Sequence, residues 1–173
     1  MDNFGNAWWK YSIRIHLRGM IQGLIVSSSI SPPAGLVEEV YRLRELEPTS
    51  RRRSTRGGWS STTCCPNIDQ FPELGQLLLD VKAHSFWFNI NPQGSSNEWH
   101  NHTGYKRSGV LYLQADVGSG DIQFDFNRCV STETLSVSPE TGLLIVFPSD
   151  LYHRVEINTS MTDRVCLVFN SHL

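Results

Sequence analysis

Residues 142–170 read GLLIVFPSDLYHRVEINTSMTDRVCLVFN. Three short runs in this stretch, GLLIVF, HRVEI and RVCLVFN, are rich in β-branched and aromatic residues and are parted by Pro-Ser-Asp and Asn-Thr-Ser. That is the punctuation of strands and turns. In the last run Val165, Leu167 and Phe169 alternate with Arg164 and Cys166, so a strand places the first three on one face and the other two opposite. A guanidinium inside a β-structure cannot shed its charge, so Arg164 needs an anion supplied by the protein or by a ligand. Pairing HRVEI and RVCLVFN as adjacent antiparallel strands across the turn at 158–163 would converge His153 and Arg164 on one pocket.

Working outward, SFWFNIN, SGVLYLQ, DIQFDF and TLSV carry the same texture, which makes about seven strands from residue 85 to the C-terminus. Upstream, SPPAGLVEEVYRLREL opens with a serine and prolines and repeats Leu36, Val37, Val40 and Leu43 at helical spacing. FPELGQLLLDVKAH places Leu74, Leu77, Leu78 and Val81 on one helical face, with His84 expected at that helix's end as a carbonyl cap. IRIHL, residues 13–17, alternates like a strand with His16 facing the surface. Two helices before a dense set of short strands predict a mainly β sandwich or barrel with the helices packed on one outer face.

The 173 residues suit a single domain with one core, and a net charge of −2 gives no general attraction to nucleic acid or to a membrane. Arg51, Arg52, Arg53 and Arg56 lie among Ser, Thr and Gly, where a solvated loop is the ordinary reading and an anionic partner the lesser one. Cys64, Cys65, Cys129 and Cys166 show no CxxC spacing, which fits a reducing, cytoplasmic setting. MIQGLIVSSSI, from Met20, is too broken for a leader and reads as mature structure. The sequons at Asn101 and Asn158 are expected to be unused.

The chemistry sits in EWHNHTGYKRSGVLYL, residues 98–113, where His100 and His102 stand two apart and would share one face of a strand. His153 follows 51 positions after His102 at another strand's start. Three neutral imidazoles on one side of a metal leave its other positions open to substrate and oxygen. Glu98 with His100 is a rival pair at the same spacing. Asn89 and Asn91 alternate with Phe86, Phe88 and Ile90, so they share a face that either lines a pocket or is solvated. Trp59 is read as a packing residue, with a lid role as the alternative.

These residues reach a known family. The run from GGWSS through WFNINPQGSSNEWHNHTGYKRSGVLYL, GDIQFDF, TGLLIVFPSDLYHRVEI and RVCLVFN resembles the iron(II)- and 2-oxoglutarate-dependent oxygenases, in particular a subgroup common in phages and marine bacteria. The resemblance spans residues 55–171, and FPS-x-x-x-H with a following arginine is its most specific part. It implies a double-stranded β-helix (a jelly roll, cupin-like barrel) from about residue 85 with two supporting helices, residues 1–54 adding an N-terminal strand and helical support. It also implies Fe(2+), 2-oxoglutarate and O2, with His100 and His153 as metal ligands and Arg164 anchoring the cosubstrate. Tyr112 and Cys166 are further candidates for cosubstrate contact. The wider superfamily has His-x-Asp or His-x-Glu where this chain has His-Asn-His, and the subgroup's His-x-His form favours His100, His102 and His153 over a set containing Glu98. The implied reaction is hydroxylation of a substrate C–H bond with release of succinate and CO2. A three-histidine cupin-type dioxygenase without 2-oxoglutarate, and a non-catalytic barrel binding a metal or small acid, are the alternatives. The substrate, small molecule or peptidyl, is not legible, and a homodimer is left open.

Overall fold

The computed structural model describes residues 25–51, 54–62, 67–126 and 134–172. Strand β1 (Val26–Ser29) leads to helix α1 (Leu36–Leu46), the two-residue strands β2 (Thr55–Arg56) and β3 (Trp59–Ser60), and helix α2 (Pro72–Asp80). Then come β4 (Ala83–Asn91), β5 (Ser96–His100), β6 (Arg107–Gln114), β7 (Ile122–Asp125), β8 (Thr134–Val137), β9 (Leu143–Pro148), β10 (Tyr152–Val155) and β11 (Arg164–Ser171). All seven expected runs are strands. The expected strand at residues 13–17, His16, Arg52, Arg53, Cys64, Cys65 and Cys129 lie outside the described residues.

The strands form two antiparallel sheets, ordered β1-β9-β6-β11-β4-β3 and β2-β5-β10-β7-β8. This is the double-stranded β-helix. The larger sheet is buried on both sides, which is why β6 reads as an unbroken apolar run. Its Leu111 and Leu113 join Phe88, Ile90, Val165, Leu167 and Phe169 under the helices. Val110 and Tyr112 turn the other way, against Ile122, Phe124 and Phe147 between the sheets. Phe169 lies in register with Gly109, where a Cβ would sit 2.2 Å from its ring, so glycine makes the room the ring fills.

Both helices follow the predicted faces, with Leu36, Val40 and Leu43 buried in α1 and Leu74, Leu77 and Leu78 in α2. Three local expectations change. Gly35, in a left-handed conformation, is the N-cap of α1, so the helix starts later than the serine and prolines that open the segment. Helix α2 ends at Asp80 because Lys82 takes φ 49°, the left-handed turn that stops a helix. His84 is therefore not a helix cap: it stands exposed on β4, its ring 4.4 Å from that of His172 and 5.8 Å from that of Tyr105.

The pairing of strands within residues 142–170 also differs from expectation. Strands β10 and β11 are not neighbours, since β10 pairs with β5 and β7 while β11 pairs with β4 and β6. The connection between them crosses from one sheet to the other. It is closed by Asn158, whose Nδ2 donates to Asn91 O and Thr162 O, each at 2.9 Å. His153 and Arg164 thus face one cavity from opposite sheets. Trp59 is buried, its Nε1 donating to Glu47 O at 2.8 Å, so it packs the core. Among the described residues no helix is long and apolar enough to cross a membrane.

Candidate active site

The three candidate metal ligands gather at the smaller sheet, two on its strands and one just beyond. His153 and His100 are direct cross-strand partners of β10 and β5, which brings their rings to 4.3 Å between centroids. His102 lies past the end of β5, not on the same strand face as His100 as the spacing suggested. Its backbone N–H donates to Ser149 O at 2.7 Å, so the turn between β9 and β10 holds it over the pair. One nitrogen from each of the three imidazoles falls within 4.8 Å of the others.

Backbone carbonyls orient two of these rings. His100 Nδ1 is 2.7 Å from Glu98 O and His153 Nδ1 is 2.9 Å from Leu151 O. A carbonyl only accepts, so each Nδ1 carries the proton and each Nε2 presents its lone pair. The Ser54 hydroxyl lies 3.3 Å from His100 Nε2, on the lone pair that a metal would take in its place. Burial, reinforced by the neighbouring His100, depresses His153 to about 3, and burial lowers His100 as well. Phe147 packs against the His153 ring at 4.7 Å, which supplies much of that dry environment. Buried neutral and held by carbonyls, the His100 and His153 rings offer the kind of nitrogen that a first-row divalent metal requires.

Glu98 stands outside this cluster. Its carboxylate takes Arg56 Nε at 2.8 Å on one oxygen and Arg56 Nη2 on the other, at the exposed rim. The basic loop therefore spends one of its arginines on the rival ligand.

The same cavity, about 380 Å³, runs from an exposed rim at Arg51, Glu98 and Trp99 to a buried floor at Arg164, Asn91 and Tyr112. Arg164 is 1 % exposed. Its Nη1 donates to the carbonyls of Ser119 and, at 3.3 Å, Gly120, while Nη2 has no partner. A Cβ at Gly120 would come 3.0 Å from Nη1 and 2.3 Å from Glu156 O, so glycine is needed for this approach. Among the described residues no carboxylate pairs with this guanidinium, which leaves the anion for a ligand to bring. Tyr112 is pushed well above its ordinary value by burial and stays a neutral phenol. Burial likewise raises the Cys166 thiol to about 11, against a partial opposing effect of Arg164. A dicarboxylate suits this floor and a metal suits the imidazoles above it.

All seven candidates therefore line one cavity: His100, His102, His153, Arg164, Asn89, Tyr112 and Cys166. Asn89 is already engaged, accepting from Ser60 Oγ at 2.6 Å and bonded to Cys166. Sequence reading missed Ser54 and Trp87, the latter with its ring 5.8 Å from that of His102. Alternation along β4 carried the signal for Trp87, since it shares the face of Asn89 and Asn91. The Ser119 and Gly120 carbonyls left no signal, because any residue supplies one.

Comparisons with known proteins agree with this geometry. Residues 85–170 match the family described as "Putative 2OG-Fe(II) oxygenase", a span that contains all three histidines and Arg164. No curated protein matches the chain by sequence. Its fold is similar to that of a Pseudomonas putida prolyl-4-hydroxylase, with a TM-score of 0.61 and 22 % identity over 86 % of this chain and 92 % of that one. A Trichoplax adhaerens prolyl hydroxylase, solved with a hypoxia inducible factor peptide fragment, gives 0.62 and 13 % over 86 % and 83 %. The epimerase SnoN of nogalamycin biosynthesis, solved with Fe3+ and alpha ketoglutarate, gives 0.59 and 11 % over 84 % and 77 %. The chain belongs to the iron(II)- and 2-oxoglutarate-dependent oxygenases.

Proposed function

We propose that His100, His102 and His153 hold the iron(II), that Arg164 anchors the far carboxylate of 2-oxoglutarate, and that the enzyme hydroxylates a small molecule or a peptide side chain. One observation carries this reading: a single cavity holds a three-imidazole cluster at one level and, at its floor, a buried guanidinium whose Nη2 has no partner. With iron(II), 2-oxoglutarate and O2 bound, such a site couples oxidative decarboxylation of the cosubstrate, to succinate and CO2, with insertion of an oxygen atom into a substrate C–H bond.

The chain's own residues bind, orient and exclude water. The Glu98 and Leu151 carbonyls keep His100 and His153 in the tautomer that offers Nε2 inward. Phe147 and Phe124 close off the back of His153 from water. Arg164 supplies the charge that a carboxylate needs at the dry end, and the Tyr112 phenol remains protonated beside it as a donor. Substrate approaches through the rim at Arg51 and Trp99, the exposed part of the cavity wall.

Anaerobic titration of the iron(II)-loaded protein with 2-oxoglutarate tests the assignment through the visible charge-transfer band that a chelated 2-oxo acid gives. A saturable band is expected in the wild type. Arg164→Ala should keep its iron but need about a hundredfold more 2-oxoglutarate, the loss typical of a charge-assisted pair. No band with iron bound, or an unchanged affinity in Arg164→Ala, defeats the corresponding role.

A further inference from the structure

Among the described residues five asparagines are buried: Asn89, Asn91, Asn97, Asn158 and Asn170. Four have partners. Ser60 donates to Asn89, Asn97 donates to Ser54 and Thr55, Asn158 donates to two carbonyls, and Asn170 accepts from Ser108. Asn91 differs, since both Nδ2 and Oδ1 are sealed from solvent with no hydrogen-bond partner. Only one other buried side-chain atom among the described residues shares that condition, and it is Arg164 Nη2. Arg164 and Asn91 are direct cross-strand partners of β11 and β4, and both line the cavity floor.

We infer that Asn91 is a second contact for the anion held by Arg164, an inference that rests on the assignment of Arg164 to 2-oxoglutarate made above. Buried amides are almost always satisfied, because leaving one dry and unpaired is costly. Two of the three unsatisfied atoms, Arg164 Nη2 and Asn91 Nδ2, are donors on adjacent residues that line one cavity, and they mark the place where an anion is received. A carboxylate fits because its two oxygens accept from two donors at once, Arg164 Nη2 and Asn91 Nδ2. Gly58 belongs to this seat. A Cβ there would lie 2.5 Å from Asn91 Nδ2 and 2.9 Å from Ile90 O, so the glycine leaves the amide its room.

The test combines thermal melts of the metal-free protein with calorimetric titration of 2-oxoglutarate and of glutarate, a probe that keeps both carboxylates but lacks the 2-oxo group. Asn91→Leu is expected to bind 2-oxoglutarate about tenfold more weakly while the ligand-free Tm stays level or rises, because the amide makes no hydrogen bond to lose. Asn91→Asp should do more. Its carboxylate is placed to pair with Arg164, raising the ligand-free Tm and weakening 2-oxoglutarate and glutarate by about a hundredfold. A lowered Tm in both variants with unchanged affinity would make Asn91 structural and overturn the inference. Wild-type affinity in Asn91→Leu beside a large loss in Arg164→Ala sinks Asn91 alone, whereas wild-type affinity in both sinks the reading of Arg164 with it.

Discussion

The two ends of the cavity are built on different principles. At the metal end, drawn from β5, β10 and the turns beside them, ring N–H groups already meet backbone carbonyls and aromatic rings exclude water. At the floor, drawn from β4 and β11 of the other sheet, a guanidinium nitrogen and an amide stand buried without partners. One end is finished by the fold, and the other is the one we propose a ligand finishes. A ligand that completes buried polar groups adds its binding energy to the stability of the folded chain, so the floor should respond to cosubstrate more than the metal end responds to its own hydrogen bonds.

The largest effect expected is on the finished end. His153→Ala removes a central nitrogen from a preformed cluster, and iron(II) affinity should fall by about a thousandfold, roughly 4 kcal/mol, read by equilibrium dialysis. Wild-type iron affinity in that variant would erase the distinction between the two ends. Next is the opposite face of β11. Leu167→Ala, beneath the helices, should cost about 3 kcal/mol in denaturant unfolding yet leave 2-oxoglutarate affinity within about threefold in the protein that remains folded. A comparable loss of affinity would mean that the two faces of this strand are not independent.

The thiol at the floor gives a smaller, pH-dependent effect. Cys166 ionises near 11 in the folded chain against 9.0 ordinarily, so the folded state holds an extra proton between those values. Its contribution to stability is complete below about pH 9 and is lost as pH rises through about 11. At pH 8 alkylation of Cys166, followed by peptide mass spectrometry, should be about a hundredfold slower in the native than in the unfolded protein. Equal rates would show that water reaches the floor. The smallest effect belongs to the rim: Glu98→Gln breaks only an exposed ion pair with Arg56, and stability should move by less than about 1 kcal/mol with iron affinity nearly unchanged. A large loss of iron would return Glu98 to the ligand set.

Much of this was legible in the chain because period-two alternation is local. SFWFNIN and RVCLVFN each announced a face for the core and a face for the site, and the structure keeps both. Pairing across sheets is not local. Nothing between His153 and Arg164 says that β10 and β11 part company, and nothing in SSNEWH shows that it is a strand whose end aligns His100 with His153. The two-residue strands β2 and β3 are too short to carry any period. Lys82 ended a helix that the leucine spacing alone would have continued, and His84 changed role with it. Satisfaction of hydrogen bonds is equally invisible, so Asn89 and Asn91 looked alike until one was seen paired and the other not.

The Asn158 amide, spent on two main-chain carbonyls inside the crossing between sheets, has a consequence for biosynthesis. Asn158-Thr-Ser is an acceptor sequence by composition, yet its nitrogen is fully enclosed once the chain has folded. A glycosylating enzyme could reach it only during the interval before the two sheets close. Expressed through a secretory host, a chain that received sugar at Asn158 first would lose one of the two N–H donors that close the crossing, so the modified form and the closed form exclude each other.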